Sequence, residues 1–187
     1  MDRELEGMKV AFLVDEGFEQ VELAQPREAL DRAGADTRVV SPRDGKVRGW
    51  NHAEWGEEVG VDLPLELAKA EQFDALMLPG GVMNPDRLRM RPEAVAFVRA
   101  FHDAGKPIAA ICHAPWMLIE AGAVKGRRVT SWPSLKTDLT HAGASWVDEP
   151  VVRDGPLVTS RKPGDIPQFN QAMIELFRGS RSQARAA

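Results

Sequence analysis

Short apolar runs alternate along the chain with longer segments whose apolar residues recur every three or four positions. The runs predict strands at residues 9–14, 36–41, 75–78, 107–111, 128–130 and 157–160. The longer segments predict helices at 19–33, 92–104, 113–121, 133–141 and 166–177. In the first helix Val21, Leu23, Ala29 and Leu30 face the core, and Gly34 closes it as a C-cap. Strands alternating with helices in this way predict an α/β fold: a mostly parallel sheet with helices on both faces, in three layers. Residues 43–63 break the alternation. Gly45, Gly49, Gly56 and Gly60 mark them as a hairpin or irregular excursion carrying Trp50 and Trp55.

In open α/β sheets, sites form beyond the C-terminal ends of the strands. Here three such ends carry polar or glycine-rich segments: DEGFEQ after Val14, PGG after Leu78, and Cys112 after Ile111. They converge on one edge.

Composition narrows the class of protein. The 187 residues suit a single domain, with its core at about 8–177 and a polar tail at 178–187 expected to fray. A formal charge of −4 argues against nucleic acid as the main partner, since no basic face is available to neutralise phosphates. No apolar run approaches a membrane span, and the N-terminal MDRELEGMKV is charged, unlike a signal peptide. One cysteine permits no internal disulfide and fits a reduced cytoplasmic setting. His52, His102 and His141 lack partners at metal-ligand spacing, so neither a metal nor another cofactor is expected.

That single cysteine, Cys112, lies where the apolar run of KPIAAICHAPWMLIEAG meets a helix start, with Ala110 and Ala114 on either side. A lone cysteine in an apolar run is ordinarily a small core hydrophobe. The strand, small–x–nucleophile–x–small, helix order instead describes a nucleophile elbow, where the sharp turn demands small neighbours. A helix N-terminus favours the thiolate, and His113 is a proton acceptor beside it.

Gly80 and Gly81 let a backbone approach a ligand closely, although two glycines also make an ordinary tight turn. Beside Cys112, the N–H groups of Gly81 and His113 would form an oxyanion hole. A protonated Glu19 near the sulfur would donate a hydrogen bond to the thiolate. As an acid near a helix start, Glu19 equally suits the macrodipole, and Glu16 and Glu22 offer the same service. Asp86 could orient the His113 ring, or could cap a helix or carry a solvated charge.

The segments KVAFLVDEGFEQVEL, DALMLPGG, GKPIAAICHAP and GRRVTSWPSLKTDLTHAGASWVDEPVVRDGPLVTSRKPGD together resemble the PfpI-type intracellular protease and general stress protein family. That family lies within the class I glutamine amidotransferase-like superfamily, and the resemblance runs from about Met8 to Phe177. It implies a flavodoxin-like sandwich with Cys112 as elbow nucleophile, Glu19 as the elbow glutamate and His113 as the adjacent histidine. It further implies a homo-oligomer, a dimer or hexamer, in which an acid after PGG completes the neighbouring site; Asp86 matches that position. The chain departs from the family in having aspartate there rather than glutamate, with one extra residue before Pro85. Trp132 replaces a tyrosine, and CHAP replaces CHGP.

The leading expectation is a stress-related thiol hydrolase of the intracellular protease type, acting on a peptide or small-molecule substrate with Cys112 as nucleophile and His113 as base. Resemblance adds a glyoxalase or deglycase alternative, acting on methylglyoxal-type aldehydes or glycated thiols and amines. A third reading is an oxidation-sensitive redox sensor with little turnover. Amidotransferase chemistry is set aside, because no His-x-Glu pair follows the cysteine.

Overall fold

The computed structural model of the protein describes residues 3–186, with side chains described as far as Ser180. The chain opens with β1 (Lys9–Leu13), the short β2 (Phe18–Glu19), α1 (Gln20–Arg32) and β3 (Asp36–Ser41). A hairpin of β4 (Lys46–Asn51) and β5 (Glu54–Gly60) follows, then β6 (Leu63–Pro64) and β7 (Ala75–Leu78). Next come α2 (Met83–Arg89), α3 (Pro92–Asp103), β8 (Ile108–Ile111), α4 (Pro115–Glu120), β9 (Arg128–Val129) and α5 (Lys136–His141). The chain ends with β10 (Ser145–Trp146), β11 (Val151–Asp154), β12 (Leu157–Ser160) and α6 (Ile166–Ala186).

Seven strands form the main sheet in the order β11-β12-β8-β7-β1-β3-β6, antiparallel only between β11 and β12. The central strands are buried on both faces, which is why they read as continuous apolar runs. Their side chains alternate between two cores. Val10, Phe12, Ala75, Met77, Ala109 and Ile111 pack with Leu23 and Leu30 of α1 and Phe169, Met173 and Phe177 of α6. Ala11, Leu13, Leu76, Leu78, Ile108 and Ala110 pack on the other side with Leu88, Phe97, Phe101, Met117 and Leu139 of α2 to α5.

The excursion at 43–63 resolves into the β4–β5 hairpin, which pairs with β2 in a separate small sheet and stands beside the strand ends. Residues 128–130, expected as a strand, contribute only β9, paired with β10 away from the main sheet. α6 continues through the segment expected to fray at 178–187, as far as Ala186. Among the elements that escape sequence reading are α2, whose Asn-Pro reads as a turn, the short strands β2, β6 and β10, and the edge strand β11. Among the described residues no helix is long and apolar enough to cross a membrane.

Candidate active site

β8 carries the sequence IAAI, buried throughout, and delivers Cys112 at the centre of the sheet edge. The Cys112 N–H donates to the Ser160 carbonyl at 3.0 Å, and the chain then turns abruptly. Cys112 takes a left-handed backbone, φ 65°, which costs a non-glycine residue on the order of 1 kcal/mol. Ala114 and Ala110 are fully buried against the turn, where larger side chains would have no room. The Trp132 backbone N–H donates to the Cys112 carbonyl at 2.9 Å, so the elbow also anchors the main chain that carries that indole.

The loop after β7 meets the elbow from the side. The N–H groups of Gly81 and His113 both point at the Cys112 sulfur, the pair expected for an oxyanion hole. Gly80 has no space for a side chain: a Cβ there would lie 2.6 Å from Cys112 Cβ and 2.7 Å from the Ile111 carbonyl. The buried Asn84 amide holds this loop, donating to the Pro79 carbonyl at 2.9 Å and the Gly80 carbonyl at 3.1 Å. Its own oxygen accepts from Asp15 N–H at 2.7 Å, tying the loop to the end of β1. Asn84 was not a candidate from the sequence.

The acid facing the sulfur is Glu22, not Glu19. Glu22 is fully buried in the first turn of α1; its Oε2 accepts from Gly80 N–H at 2.9 Å. Its carboxyl and the Cys112 thiol influence one another's ionisation, and Oε1 is buried without a hydrogen-bond partner. Burial, with the charge of nearby Glu19, raises Glu22 from 4.5 to about 8. Burial and then the Glu22 charge push the Cys112 thiol up, against the pull of the Gly81 and His113 N–H groups. Two buried acids in contact cannot both ionise cheaply, so near neutral pH the pair keeps at least one proton.

Glu19 points elsewhere because β2 pairs with β4, which turns it toward the hairpin. Its Oε1 accepts from His52 N–H at 3.4 Å and lies 3.7 Å from His52 Nδ1. His113 is where the sequence placed it: Nδ1 lies 3.2 Å from Cys112 Sγ. Its ring stacks on Trp132 at 5.7 Å and meets the Trp116 edge at 5.2 Å. Burial between these indoles lowers His113 to about 4, so at neutral pH it is an uncharged imidazole. Asp86 is exposed on α2 and does not line the cavity above Cys112 in its own chain.

That cavity measures about 560 Å³ and is walled mainly by apolar groups, Trp50, Val82, Met83, Trp132 and Pro163. Its titratable side chains are Glu19, Glu22, His52, Cys112 and His113. Among the described residues no cluster of His, Cys, Asp and Glu is suited to a metal ion. The arrangement can present a thiolate to a carbonyl carbon, receive the oxygen's charge on backbone N–H groups and exchange protons at Glu22 and His113.

Comparison with known proteins agrees with this geometry. The model of the DJ-1/PfpI family matches residues 8–176. Deglycase PH1704 of Pyrococcus horikoshii is 41% identical over 171 residues, 91% of this chain and all of that protein. Deglycase PfpI of Pyrococcus furiosus is 39% identical over the same share of each. General stress protein 18 of Bacillus subtilis is 41% identical over 91% of this chain and 98% of its own. Among solved structures, Drosophila melanogaster DJ-1beta superposes with a TM-score of 0.84 at 28% identity, covering 96% of this chain and 97% of its own.

Proposed function

The chain belongs to the DJ-1/PfpI family, and on that premise we propose that it is a deglycase, a thiol enzyme that releases amines or thiols from their early adducts with methylglyoxal-type aldehydes. The observation that carries this reading is the convergence on Cys112 of the Glu22 carboxyl and the Gly81 and His113 N–H groups. With the shared proton on Glu22, the sulfur faces an O–H and two N–H donors, and the neighbouring negative charge that raised its pKa is gone. With the proton on sulfur, the carboxylate accepts from the Gly80 and Gly81 N–H groups and the thiol. Thiolate beside neutral Glu22 is the form that attacks a carbonyl carbon, and addition to the substrate draws the pair into it.

The thiolate adds to the aldehyde carbon, forming the C–S bond, and the oxygen takes the proton from Glu22. The hydrogen on that carbon then leaves as a proton to the uncharged His113, and the neighbouring carbonyl carbon regains it through an enediol. The product is a lactoyl thioester, which water hydrolyses to lactate and thiolate, one of the two protons released returning to Glu22 and the other passing to water. Aldehyde plus water gives the 2-hydroxy acid, with no external oxidant. Relatives named deglycases favour this course over the protease reading first drawn from the sequence. The burial of Cys112, 6% exposed, offers less to the redox-sensor reading, since oxidation favours an accessible thiolate.

In this reading Asp86 serves the site of a neighbouring subunit in a homo-oligomer, where it orients His113. The decisive experiment follows lactate and free amine released from methylglyoxal-treated N-acetyl-lysine, with a peptide assay alongside, for wild type and Cys112→Ser. Release by the wild type and none by the variant is expected. Equal release by both, or peptide cleavage without lactate, would overturn the reading.

A further inference from the structure

Among the described residues, Cys112 (φ 65°) and His52 (φ 57°) are the only non-glycine residues with positive φ. Both line the same cavity. Backbone strain of this kind, on the order of 1 kcal/mol per residue, persists where the surroundings enforce it and gathers at functional sites. At Cys112 the elbow enforces it. At His52, the tip of the β4–β5 hairpin, the Trp50 indole N–H holds the His52 carbonyl at 2.9 Å, and the Glu19 carboxylate accepts the His52 N–H. Glycine or asparagine would adopt this backbone at lower cost, so turn formation alone does not call for an imidazole.

The cavity also leaves one role unfilled. Release of an amine from its adduct requires a proton on the departing nitrogen. His113, held at about 4, carries no spare proton at neutral pH. Glu22 is committed to the sulfur and to Gly80 N–H. Across the cavity, the His52 side chain is 67% exposed and open to recharging from water, while its Nδ1 lies 3.7 Å from Glu19, itself only 12% exposed.

We propose that His52 is a second acid–base residue of this site, positioned by Glu19, and that it protonates the amine leaving an α-oxoaldehyde adduct. The inference rests on the deglycase reading above. In the carbinolamine R–NH–CH(OH)–C(O)R′, the C–N bond breaks with its electron pair passing to nitrogen, which takes the proton from His52. The hydroxyl proton goes to water as the C=O bond forms, and His52 regains a proton from water. Amine and aldehyde result, and the aldehyde passes to the Cys112 thiolate.

The test measures kcat/KM for His52→Gln, His52→Gly and Glu19→Gln on free methylglyoxal, on its N-acetyl-lysine carbinolamine and on its hemithioacetal with a simple thiol. A general acid commonly contributes about 10²-fold or more. Both His52 variants should lose at least about tenfold on the amine adduct and stay within about twofold of wild type on the other two. Glu19→Gln should show the same split to a smaller degree. His52→Gly removes the backbone strain, so its melting temperature should not fall, which separates lost chemistry from lost fold. Unchanged rates on the amine adduct, or equal losses on all three substrates, would overturn the proposal. A wild type inactive on free methylglyoxal would overturn the Cys112 reading and this one together, whereas activity there without the split overturns the role of His52 alone.

Discussion

Glu22 and Cys112 meet across Gly80, so closely that a methyl group on that glycine would lie 2.6 Å from Cys112 Cβ and collide with the Glu22 carboxyl as well. The glycine N–H, at 2.9 Å from Glu22 Oε2, holds the acid in place. One proton shared in this corner governs both the reactivity of the thiol and the pH response of the fold.

Glu22→Gln keeps size and the hydrogen bond from Gly80 but cannot pass a proton. Its kcat/KM on methylglyoxal should fall by about 10²–10³, the range for a lost proton-transfer group. Thiol alkylation rates measured against pH should show the sulfur ionising over a different range from wild type. Wild-type turnover in this variant would remove Glu22 from the chemistry.

Glu22 also predicts a pH dependence of stability. Folding raises its pKa from 4.5 to about 8, so the folded state holds a proton that the unfolded chain has lost between those values. Its stabilising contribution is complete below about pH 4.5 and disappears as pH rises through about 8. His113 runs the other way: lowered from 6.5 to about 4, its contribution is present above 6.5 and lost as pH falls toward 4. The two oppose one another from about 4.5 to 6.5, leaving a net fall from about 6.5 to 8. Urea unfolding across this series should show Cys112→Ser, in which no thiol shares the proton, losing roughly 3–5 kcal/mol relative to Cys112→Ser/Glu22→Gln between pH 5 and 8. A flat difference would mean that Glu22 is not held protonated.

Gly80→Ala should be among the most damaging single substitutions. The added methyl meets Cys112 Cβ and the Ile111 carbonyl, groups fixed by β8, and neither can retreat. We expect a loss of about 2–4 kcal/mol, visible calorimetrically as a drop of roughly 5–15 °C in Tm. Turnover should fall with it. A variant as stable as wild type would show that the loop moves more freely than its Asn84 hydrogen bonds suggest.

The elbow and the identity of the acid differ in how far local sequence reveals them. Cys112 was legible because the turn imposes its own signature: a buried strand before it, small residues around it and a helix after it. The N–H donors followed from the same geometry. Glu19 and Glu22 are three residues apart at one helix start, and local spacing does not say which one turns inward. The choice is made by β2 pairing with Gly49–Trp50 of β4, a contact across some thirty residues that rotates Glu19 toward His52 and leaves Glu22 against the sulfur. Asn84 escaped notice for a related reason. Asn-Pro reads as a turn, while its burial and its bonds to the Pro79 and Gly80 carbonyls depend on where β1 ends.

Trp132 sets the state of His113. The indole stacks on the imidazole at 5.7 Å with planes 22° apart, excluding the water that would solvate the charged ring. Trp132→Ala should let water in, and the His113 pKa should rise from about 4 toward 6.5. Imidazole resonances followed by NMR titration give the shift directly. The acidic limb of the rate profile should move to higher pH with it. An unmoved titration would assign the desolvation to Trp116 and the elbow instead.

Asp86 tests whether the site needs a second chain. Exposed on α2 and absent from its own cavity wall, it reaches a His113 only across a subunit boundary. If it does, Asp86→Ala should lower kcat about 10- to 100-fold with little change in melting temperature. Cys112→Ser should be inactive for a different reason, and the two defects lie on different chains of one composite site. In a two-fold dimer, co-refolding equal amounts yields mixed dimers for about half the population, each with one of its two sites intact. Activity should therefore recover to about a quarter of wild type, well above the sum of the separate variants. No recovery, with mixed dimers demonstrated by mass, would return Asp86 to the surface charge that its own chain makes of it.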